Sequence, residues 1–287
     1  MTDLRPLTIG EMLDRAVTLA VKNIVLFALI WIAWKIAAGV TYAAVAPRVL
    51  PLIRDAFGTS PYVYVALSVV WTVPLLAVYG LLRAGAFMSA TNARYCGDRT
   101  SFYEAYRTSF RRWPAFLVYN LAFGVVILAF AVPVALVYVP VALLAGASQP
   151  AIVGFGAEGI WFIAFGFVQV PYVCGGFRCV AEGQKPLDAL AASLYNEYSP
   201  GLRWRSILVG FIFQLIGLVY SVPLATRMLV AMAHVHLWVG ISPLIQAGEA
   251  AAAIYLSALG AVVFHDMRLR GEGADLQLSA IRAGAVA

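Results

Sequence analysis

A polar stretch interrupts this apolar chain and reads Arg94-Tyr-Cys-Gly-Asp98-Arg-Thr-Ser101-Phe-Tyr-Glu104-Ala-Tyr-Arg-Thr-Ser-Phe110. It recurs as Arg178-Cys-Val-Ala-Glu182-Gly-Gln-Lys-Pro186-Leu-Asp188-Ala-Leu-Ala-Ala-Ser-Leu194, and in truncated form as Arg268-Leu-Arg-Gly-Glu272-Gly-Ala-Asp275-Leu276. Each copy has an arginine, an acid four residues later, and then the start of an amphipathic helix. We call these stretches the three polar islands. The rest of the chain consists of hydrophobic spans that connect them.

The composition predicts an all-α integral membrane protein. The chain is 62% hydrophobic and 12% charged, with a mean hydropathy of +0.85. A soluble domain has about 25% charged residues, so this chain cannot cover a water-exposed surface. Runs of roughly 20 apolar residues without strand-like alternation are typical of helices that cross a bilayer, and not of a barrel. The net charge of +6 lies beside the spans, which indicates contact with anionic lipids and argues against nucleic-acid binding.

The chain divides into six predicted transmembrane helices and three amphipathic helices. Thr8 with Glu11 and Ser101 with Glu104 have the spacing of capping boxes, and Pro186 suits a first helical turn. Pro74 is expected to kink the second span, and the course of span three and of the apolar connector 223–241 stays open. The predicted spans are Ile24–Ala46, Tyr62–Met88, Pro114 to Pro133 or Pro140, Ile160–Cys174, Ile207–Val222 and Ser242–Phe264.

Each amphipathic helix has an apolar stripe at helical spacing, which predicts the face that it buries. The stripes are Leu13, Ala16, Val17, Ala20 and Ile24 in the first helix; Phe102, Ala105, Tyr106, Phe110 and Trp113 in the second; and Leu187, Leu190, Ala191, Leu194, Tyr195 and Tyr198 in the third.

The distribution of Lys and Arg predicts the orientation. Sixteen of the 20 cations, Arg83 among them, fall on the side that holds both termini. Three fall on the opposite side (Arg48, Arg54 and Arg227), and Lys35 lies inside span one. Because cytoplasmic loops are enriched in Lys and Arg, we expect a multi-pass protein of the bacterial inner membrane with cytoplasmic N- and C-termini.

Topology and motif together suggest an internal repeat within a single transmembrane domain, residues 1–287. The repeating unit is an amphipathic helix followed by two spans, in units of about 1–98, 99–182 and 183–272, with 273–287 as a cytoplasmic tail. Glu11, Glu104 and Asp188 occupy equivalent early-turn positions, where a carboxylate favours the helix dipole. The units predict a pseudo-threefold bundle with the amphipathic helices at its cytoplasmic rim. Chance recurrence of a short pattern is the alternative.

Lys35 lies near the middle of span one, and Glu249 is an acid inside span six. A lone charge there costs about 2.5–3.5 kcal/mol on insertion scales. If spans one and six are neighbours, the lysine stem reaches the carboxylate, so we predict an intramembrane ion pair. The pair would fix packing or form a ligand or proton site; a lysine that reaches the interface without a partner is the remaining alternative.

The arginine of each polar island is a candidate contact for lipid phosphate, because a planar guanidinium suits phosphate oxygens. These arginines are Arg94, Arg178 and Arg268; alternatively they anchor the topology and pair with Asp98, Glu182 and Glu272. We find no catalytic motif, no cofactor motif and no metal spacing. His234, His236 and His265 have no ligand set nearby in sequence, and the spacing of Cys96, Cys174 and Cys179 predicts buried apolar roles.

Two short signatures resemble those of the glycerophosphoryl diester phosphodiesterase membrane-domain family. Leu7-Thr-Ile-Gly-Glu11-Met-Leu-Asp-Arg-Ala16 is similar to its opening, and Phe264-His-Asp266-Met-Arg268-Leu-Arg270-Gly-Glu272-Gly-Ala-Asp275-Leu276 is similar to its closing. His265 and Met267 depart from the usual aromatic residue and leucine. The resemblance implies a multi-span domain that some members fuse to a catalytic phosphodiesterase. Here the spans account for the whole length, so the catalytic barrel is expected to be absent.

The leading functional interpretation is therefore a non-enzymatic scaffold or accessory domain that contacts membrane lipids or another membrane protein. A second is a small transporter or lipid-handling protein that uses Lys35 and Glu249. A membrane-embedded hydrolase is the least favoured, because no base and nucleophile stand out. A polar cavity that reaches Lys35 would favour the second interpretation, and a dry, packed interior would favour the first.

Overall fold

The computed structural model describes residues 6–57, 76–144, 150–217 and 238–271. Within these ranges the chain is helical and contains no strand. A π-helical turn, Leu76–Gly80, leads directly into the third helix. In chain order the helices are α1 (Ile9–Lys22), α2 (Ile24–Phe57), α3 (Leu81–Cys96), α4 (Phe102–Leu144), α5 (Pro150–Val180), α6 (Pro186–Glu197), α7 (203–217) and α8 (Trp238–Gly271).

Four of the described helices are long and apolar enough to cross a membrane. Their apolar windows are Ile24–Thr41, Phe102–Leu136, Phe162–Val180 and Gln246–Gly271. Parts of the second and fifth predicted spans, including the Pro74 kink, lie outside the described residues, as does most of the connector 223–241. The total of six spans stays a prediction.

Several helices extend past the boundaries that proline suggested. Helix α2 continues through Pro47 and Pro51, beyond the predicted end at Ala46. Helix α4 joins the second amphipathic helix to span three without a break at Pro114, and it contains Pro133 and Pro140 as well. Where no water is present to bind a broken backbone, continued helix is the conformation that satisfies most amides, so proline is tolerated inside apolar helices.

The first two polar islands are the connections between consecutive helices. Helix α3 ends at Gly97, which has a φ of 89°, and the amide of Asp98 then donates to the carbonyl of Ala93. The second island turns at Gly183, with a φ of 74°. Left-handed backbone is where glycine has no steric penalty, so each glycine allows the chain to reverse direction after a span.

The capping boxes at Thr8 and at Ser101 are both present. The amide of Glu11 donates to Thr8 Oγ1 at 3.3 Å, and the amide of Thr8 donates to Glu11 Oε2 at 2.7 Å. Ser101 and Glu104 make the same two bonds. Pro186 stands in the first turn of α6, as predicted.

The apolar stripes predict the buried faces of the amphipathic helices only in part: Ala16, Ala20 and Ala105 are buried as predicted, but several of the largest stripe residues are not. Val17, Phe110 and Tyr195 are exposed, whereas small residues face the protein. Counted from Glu11, Glu104 and Asp188, the first and fifth following positions are buried in all three helices: Met12 and Ala16, Ala105 and Ser109, and Ala189 and Ser193. Lipid chains are as apolar as leucine, so close helix packing by small residues decides the buried face.

The bundle packs around two connected cores. The larger core is shared by α1, α2, α3, α5, α7, α8 and the start of α4 at Ala105, and the smaller one joins α4 to α5 and α6. Helices α5 and α7 approach at Gly166 and Gly210, where a Cβ on Gly210 would overlap the carbonyl oxygen of Gly166. This contact of backbone on backbone brings Gln169 and Gln214 together, with Gln214 Nε2 donating to Gln169 Oε1 at 3.0 Å.

Candidate functional site

A cavity of about 260 Å³ lies between α3, α5, α7 and α8. Its walls are largely apolar, with Phe87, Phe177 and Phe213 among them, and its polar lining residues are Arg83, Gln169, Gln214 and Ser257. An apolar cavity of about 150 Å³ holds benzene. This larger space, with one cation and two amides, suits a ligand that has a polar head and an apolar body.

The polar groups of the cavity lie deep within their helices. At 1.5 Å per residue, Arg83 is about 20 Å from the end of α3 at Cys96, and Gln169 is about 17 Å from the end of α5 at Val180. Gln214 is about as far from the start of α7. Half of a hydrocarbon core is about 15 Å. The polar groups of the cavity on α3 and α5 therefore lie about 17–20 Å from the ends of these helices that carry the polar islands.

Two tryptophans link the cavity to the predicted ion pair. The rings of Trp31 and Trp34 on α2 are 5.3 Å apart, and the guanidinium of Arg83 lies 5.1 and 4.4 Å from their centroids. Lys35 Nζ lies 5.0 Å from each centroid. Each cation is within the range of a cation–π interaction with both rings. We call Trp31, Trp34, Lys35, Arg83 and Glu249 the tryptophan seat.

The structure brings Lys35 and Glu249 together, with Lys35 Nζ 3.1 Å from Glu249 Oε2. The lysine side chain is 34% exposed and the glutamate side chain 12% exposed. Neither residue lines the cavity, and Arg83 is the member of the tryptophan seat that does. The ion pair is therefore adjacent to the cavity, with the tryptophans and Arg83 between them.

A second charged group joins the two ends of the described chain. Asp266 on α8 has a fully buried carboxylate, which accepts the amide of Leu7 at 2.7 Å, Arg205 Nη2 at 3.1 Å and Arg270 Nε at 3.0 Å. Both arginines also donate to the carbonyl of Leu7. We call Asp266, Arg205, Arg270 and the Leu7 backbone the Asp266 cluster. It holds the start of α1 against α7 and α8.

The three island arginines differ in exposure: Arg178 is buried, Arg94 is half-buried and Arg268 is exposed, so their contact with lipid phosphate stays a prediction. Arg178 is buried, at 4% exposure, and Arg94 donates to the carbonyl of Thr100 at 2.8 Å. Arg268 forms an ion pair with Glu182, the acid of the second island. The predicted pairing of Arg268 with Glu272 lies outside the described residues. The described contact of Arg94 thus lies within its own island, and the ion pair of Arg268 with Glu182 joins the third island to the second.

His265 comes close to a thiol but does not form a nucleophile pair. Its Nε2 lies 3.8 Å from Cys96 Sγ and 3.0 Å from Asn92 Oδ1, and its ring stacks on Tyr95. A catalytic imidazole uses one nitrogen for the nucleophile and the other for an orienting group. Here both contacts use the same nitrogen. Partial desolvation of the thiol, together with Asp98, raises the pKa of Cys96, although the residue keeps an exposed surface. The two contacts of His265 therefore differ from those of a catalytic triad.

The remaining histidine and cysteine predictions have mixed outcomes. Cys174 and Cys179 are buried, whereas Cys96 is exposed, contrary to the buried role predicted for it. His234 and His236 lie outside the described residues. Among the residues that the structure describes, no group of three or more His, Cys, Asp or Glu side chains is placed to hold a metal ion.

Sequence reasoning missed the central cation of the site. The charge distribution along the sequence places Arg83 beside the spans. In the structure it lies well inside a continuous helix, which begins at Leu76 with the π turn. The signal was present, because Arg83 falls within the predicted span Tyr62–Met88. Gln169 and Gln214 were likewise visible as amides in apolar spans, but their pairing required the crossing of α5 and α7.

Comparisons of the chain with protein-family models, curated proteins and solved structures find no match. The family resemblance therefore stays a prediction. The fold adds one observation about its two signatures: Leu7 of the opening one and Asp266 of the closing one are joined by a hydrogen bond. Residues that are far apart in the chain thus form one contact site in the structure.

Proposed function

We propose that the protein is a membrane-embedded binding protein for an amphiphilic anion, in which Arg83 contacts the ligand head and the apolar wall of the cavity holds its body. The observation that carries this proposal is the cavity of about 260 Å³ lined by Arg83, Gln169 and Gln214. Ionisable residues inside membrane spans are costly and are retained mostly where they serve function. Lipid handling is thereby favoured over a scaffold with a dry interior.

The ligand is held without covalent chemistry in this proposal. A guanidinium suits carboxylate or phosphate oxygens, and the amides of Gln169 and Gln214 supply further donors and acceptors. In a site of low dielectric these contacts are stronger than in water. A single-chain carboxylate or alkyl phosphate of about octyl length meets these requirements within the cavity volume of about 260 Å³.

The membrane setting belongs to the same proposal. We infer a bacterial inner-membrane location with both termini in the cytoplasm. The excess of Lys and Arg on the side of the termini supports this orientation. Without Arg83, which lies inside the bundle, fifteen cations lie on that side and three on the opposite side. A fluorescent protein fused after Ala287 should fluoresce, since such a fusion does not fold after export. A dark fusion of full length would overturn this orientation.

The threefold repeat is also proposed, and the burial pattern supports it. The same two positions after Glu11, Glu104 and Asp188 are buried in α1, α4 and α6. A shared buried face is expected if the three helices descend from one packing unit. The units that this implies are residues 1–98, 99–182 and 183–272.

Native mass spectrometry of the protein in mild detergent tests the binding function. The wild type should carry a lipid-sized or smaller adduct, and Arg83→Gln should lose it because the head contact is removed. Arg111→Gln, which changes an exposed arginine on α4, is the matched control and should retain the adduct. An adduct that survives in Arg83→Gln would place the ligand elsewhere. Bare protein in all three samples would return the scaffold interpretation to first place.

A further inference from the structure

The five side chains of the tryptophan seat include two cations and one carboxylate. Lys35 and Arg83 are both within about 5 Å of the centroid of Trp34, so their charges lie within about 10 Å of each other. Glu249 lies against Lys35, at 3.1 Å. The carboxylate is thus paired with the cation that does not line the cavity.

This arrangement has an electrostatic consequence for the cavity. At an effective dielectric constant of about 20, a full charge at about 10 Å changes the affinity of a monovalent ligand by roughly tenfold. Paired with Glu249, Lys35 contributes little net potential at the cavity. Without the carboxylate, the charge of Lys35 would add to that of Arg83.

We propose that Glu249 sets the strength with which the cavity attracts an anion. It does so by neutralising the positive charge of Lys35, which lies against the same two tryptophans as Arg83. This inference rests on the proposed anion-binding function and names its specificity-determining residue. Glu249 does not touch the ligand; it acts through Lys35. Its compensation keeps the cavity selective for a head group that Arg83 can contact directly and limits the attraction of anions in general.

The test measures binding of radiolabelled octanoate to the purified protein in a nonionic detergent, with protein-free micelles subtracted and octan-1-ol as the uncharged comparison. Glu249→Gln should bind octanoate about tenfold more tightly, because Lys35 is then uncompensated. Lys35→Met/Glu249→Gln should return to the wild-type affinity. Glu249→Asp, which keeps the charge, should also match the wild type, and Lys35→Met should bind no more tightly than the wild type. Octan-1-ol binding should not follow this order.

The direction of these changes separates charge compensation from a packing role. If the ion pair only holds α2 against α8, Glu249→Gln should weaken binding or leave it unchanged, and the double variant should not restore it. Either result overturns the inference, provided that wild type binds octanoate and Arg83→Gln does not. If the wild type binds neither octanoate nor octyl phosphate, the proposed function itself fails. Thermal unfolding of every variant identifies any that do not fold. If Glu249→Gln does not fold, the octanoate affinity of the double variant decides: equal affinity to the wild type supports charge compensation, and weaker binding contradicts it.

Discussion

Asp266 and Glu249 are carboxylates on the same helix, α8, about 25 Å apart along its axis, yet their surroundings differ. Asp266 is fully buried and accepts three hydrogen bonds, from the Leu7 amide and from two arginines. Glu249 is 12% exposed and, among the described residues, accepts one bond, from Lys35. A carboxylate with several fixed donors holds a fold together, whereas one with a single flexible partner is able to respond to a nearby charge.

The position of each carboxylate explains this difference. Asp266 lies where the start of α1, the start of α7 and the end of α8 meet, so free backbone groups and arginines are available to it. Glu249 lies among helix interiors, where each backbone amide already donates to a carbonyl of its own helix. Only a side chain is therefore available to donate a hydrogen bond to Glu249. Three elements depend on Asp266, while Glu249 concerns two helices and the cavity beside them.

The largest effect is expected from breaking the Asp266 cluster. Asp266→Leu removes the buried acceptor of the Leu7 amide and leaves the partly exposed Arg205 and Arg270 with the Leu7 carbonyl as acceptor, so we expect a cost near the lower end of the about 3–5 kcal/mol that breaking a buried ion pair takes. Unfolding in mixed micelles with increasing SDS measures this loss. Asp188→Asn, at an exposed acid in the first turn of α6, is the control and should change stability by at most about 1 kcal/mol, the size of a helix-dipole interaction. Equal stability of the two variants would contradict a structural role for Asp266.

An intermediate effect is expected for the pair in the spans. In a double-mutant cycle on unfolding free energy, Lys35→Met and Glu249→Gln should show a coupling of about 1 kcal/mol, the size typical of polar contacts between membrane helices. Lys22→Met with Glu249→Gln is the control cycle and should be additive, because Lys22 is outside the seat. If Lys35→Met leaves Glu249→Gln as damaging as it is alone, the two residues are not coupled.

The smallest effect is expected for Arg268 and Glu182, a pair at the surface of the polar end. The arginine side chain is 43% exposed, and exposed ion pairs contribute about 0.2–1 kcal/mol. A cycle with Arg268→Gln and Glu182→Gln should give a coupling in this range that decreases as salt is raised from about 0.1 to 1 M. The expected ranking of the two pairs would be wrong if the coupling energy of Arg268 and Glu182 exceeded that of Lys35 and Glu249 and did not change with salt.

Helix boundaries were predictable where local chemistry controls them. The boxes of Thr8 with Glu11 and of Ser101 with Glu104 formed because each needs only four consecutive residues. Proline was a poor guide to helix ends, since α4 passes through three prolines. Away from water, backbone groups without hydrogen bonds are costly, so an intact helix is favoured over a broken one. The rule that proline ends a helix comes from soluble proteins and does not include this cost.

The buried faces of the amphipathic helices were predicted less well. Large apolar residues mark the inner face of a helix in water, but here Tyr195 and Phe110 are exposed while Ser193 and Ser109 are buried. If these helices lie at the membrane interface, as predicted, one side of each faces lipid, so large apolar residues mark the lipid side as well as the protein side, and residue size decides which side packs. For the same reason, the role of Arg83 was not predicted. Its position along the helix is readable from the sequence, but the face on which it lies and the residues that it contacts are not.

By itself, the sequence determined the helical class of this protein, its apolar spans, its capped helix starts and the position of Lys35 and Glu249 along their spans. These properties depend on composition and on contacts within a few residues. Only the tertiary structure decided that Arg83 faces a cavity, that Lys35 and Arg83 share two tryptophans, and that Leu7 meets Asp266. Those contacts join residues from different helices, and the rotation and crossing of helices are set by packing across the whole bundle, which no local pattern encodes.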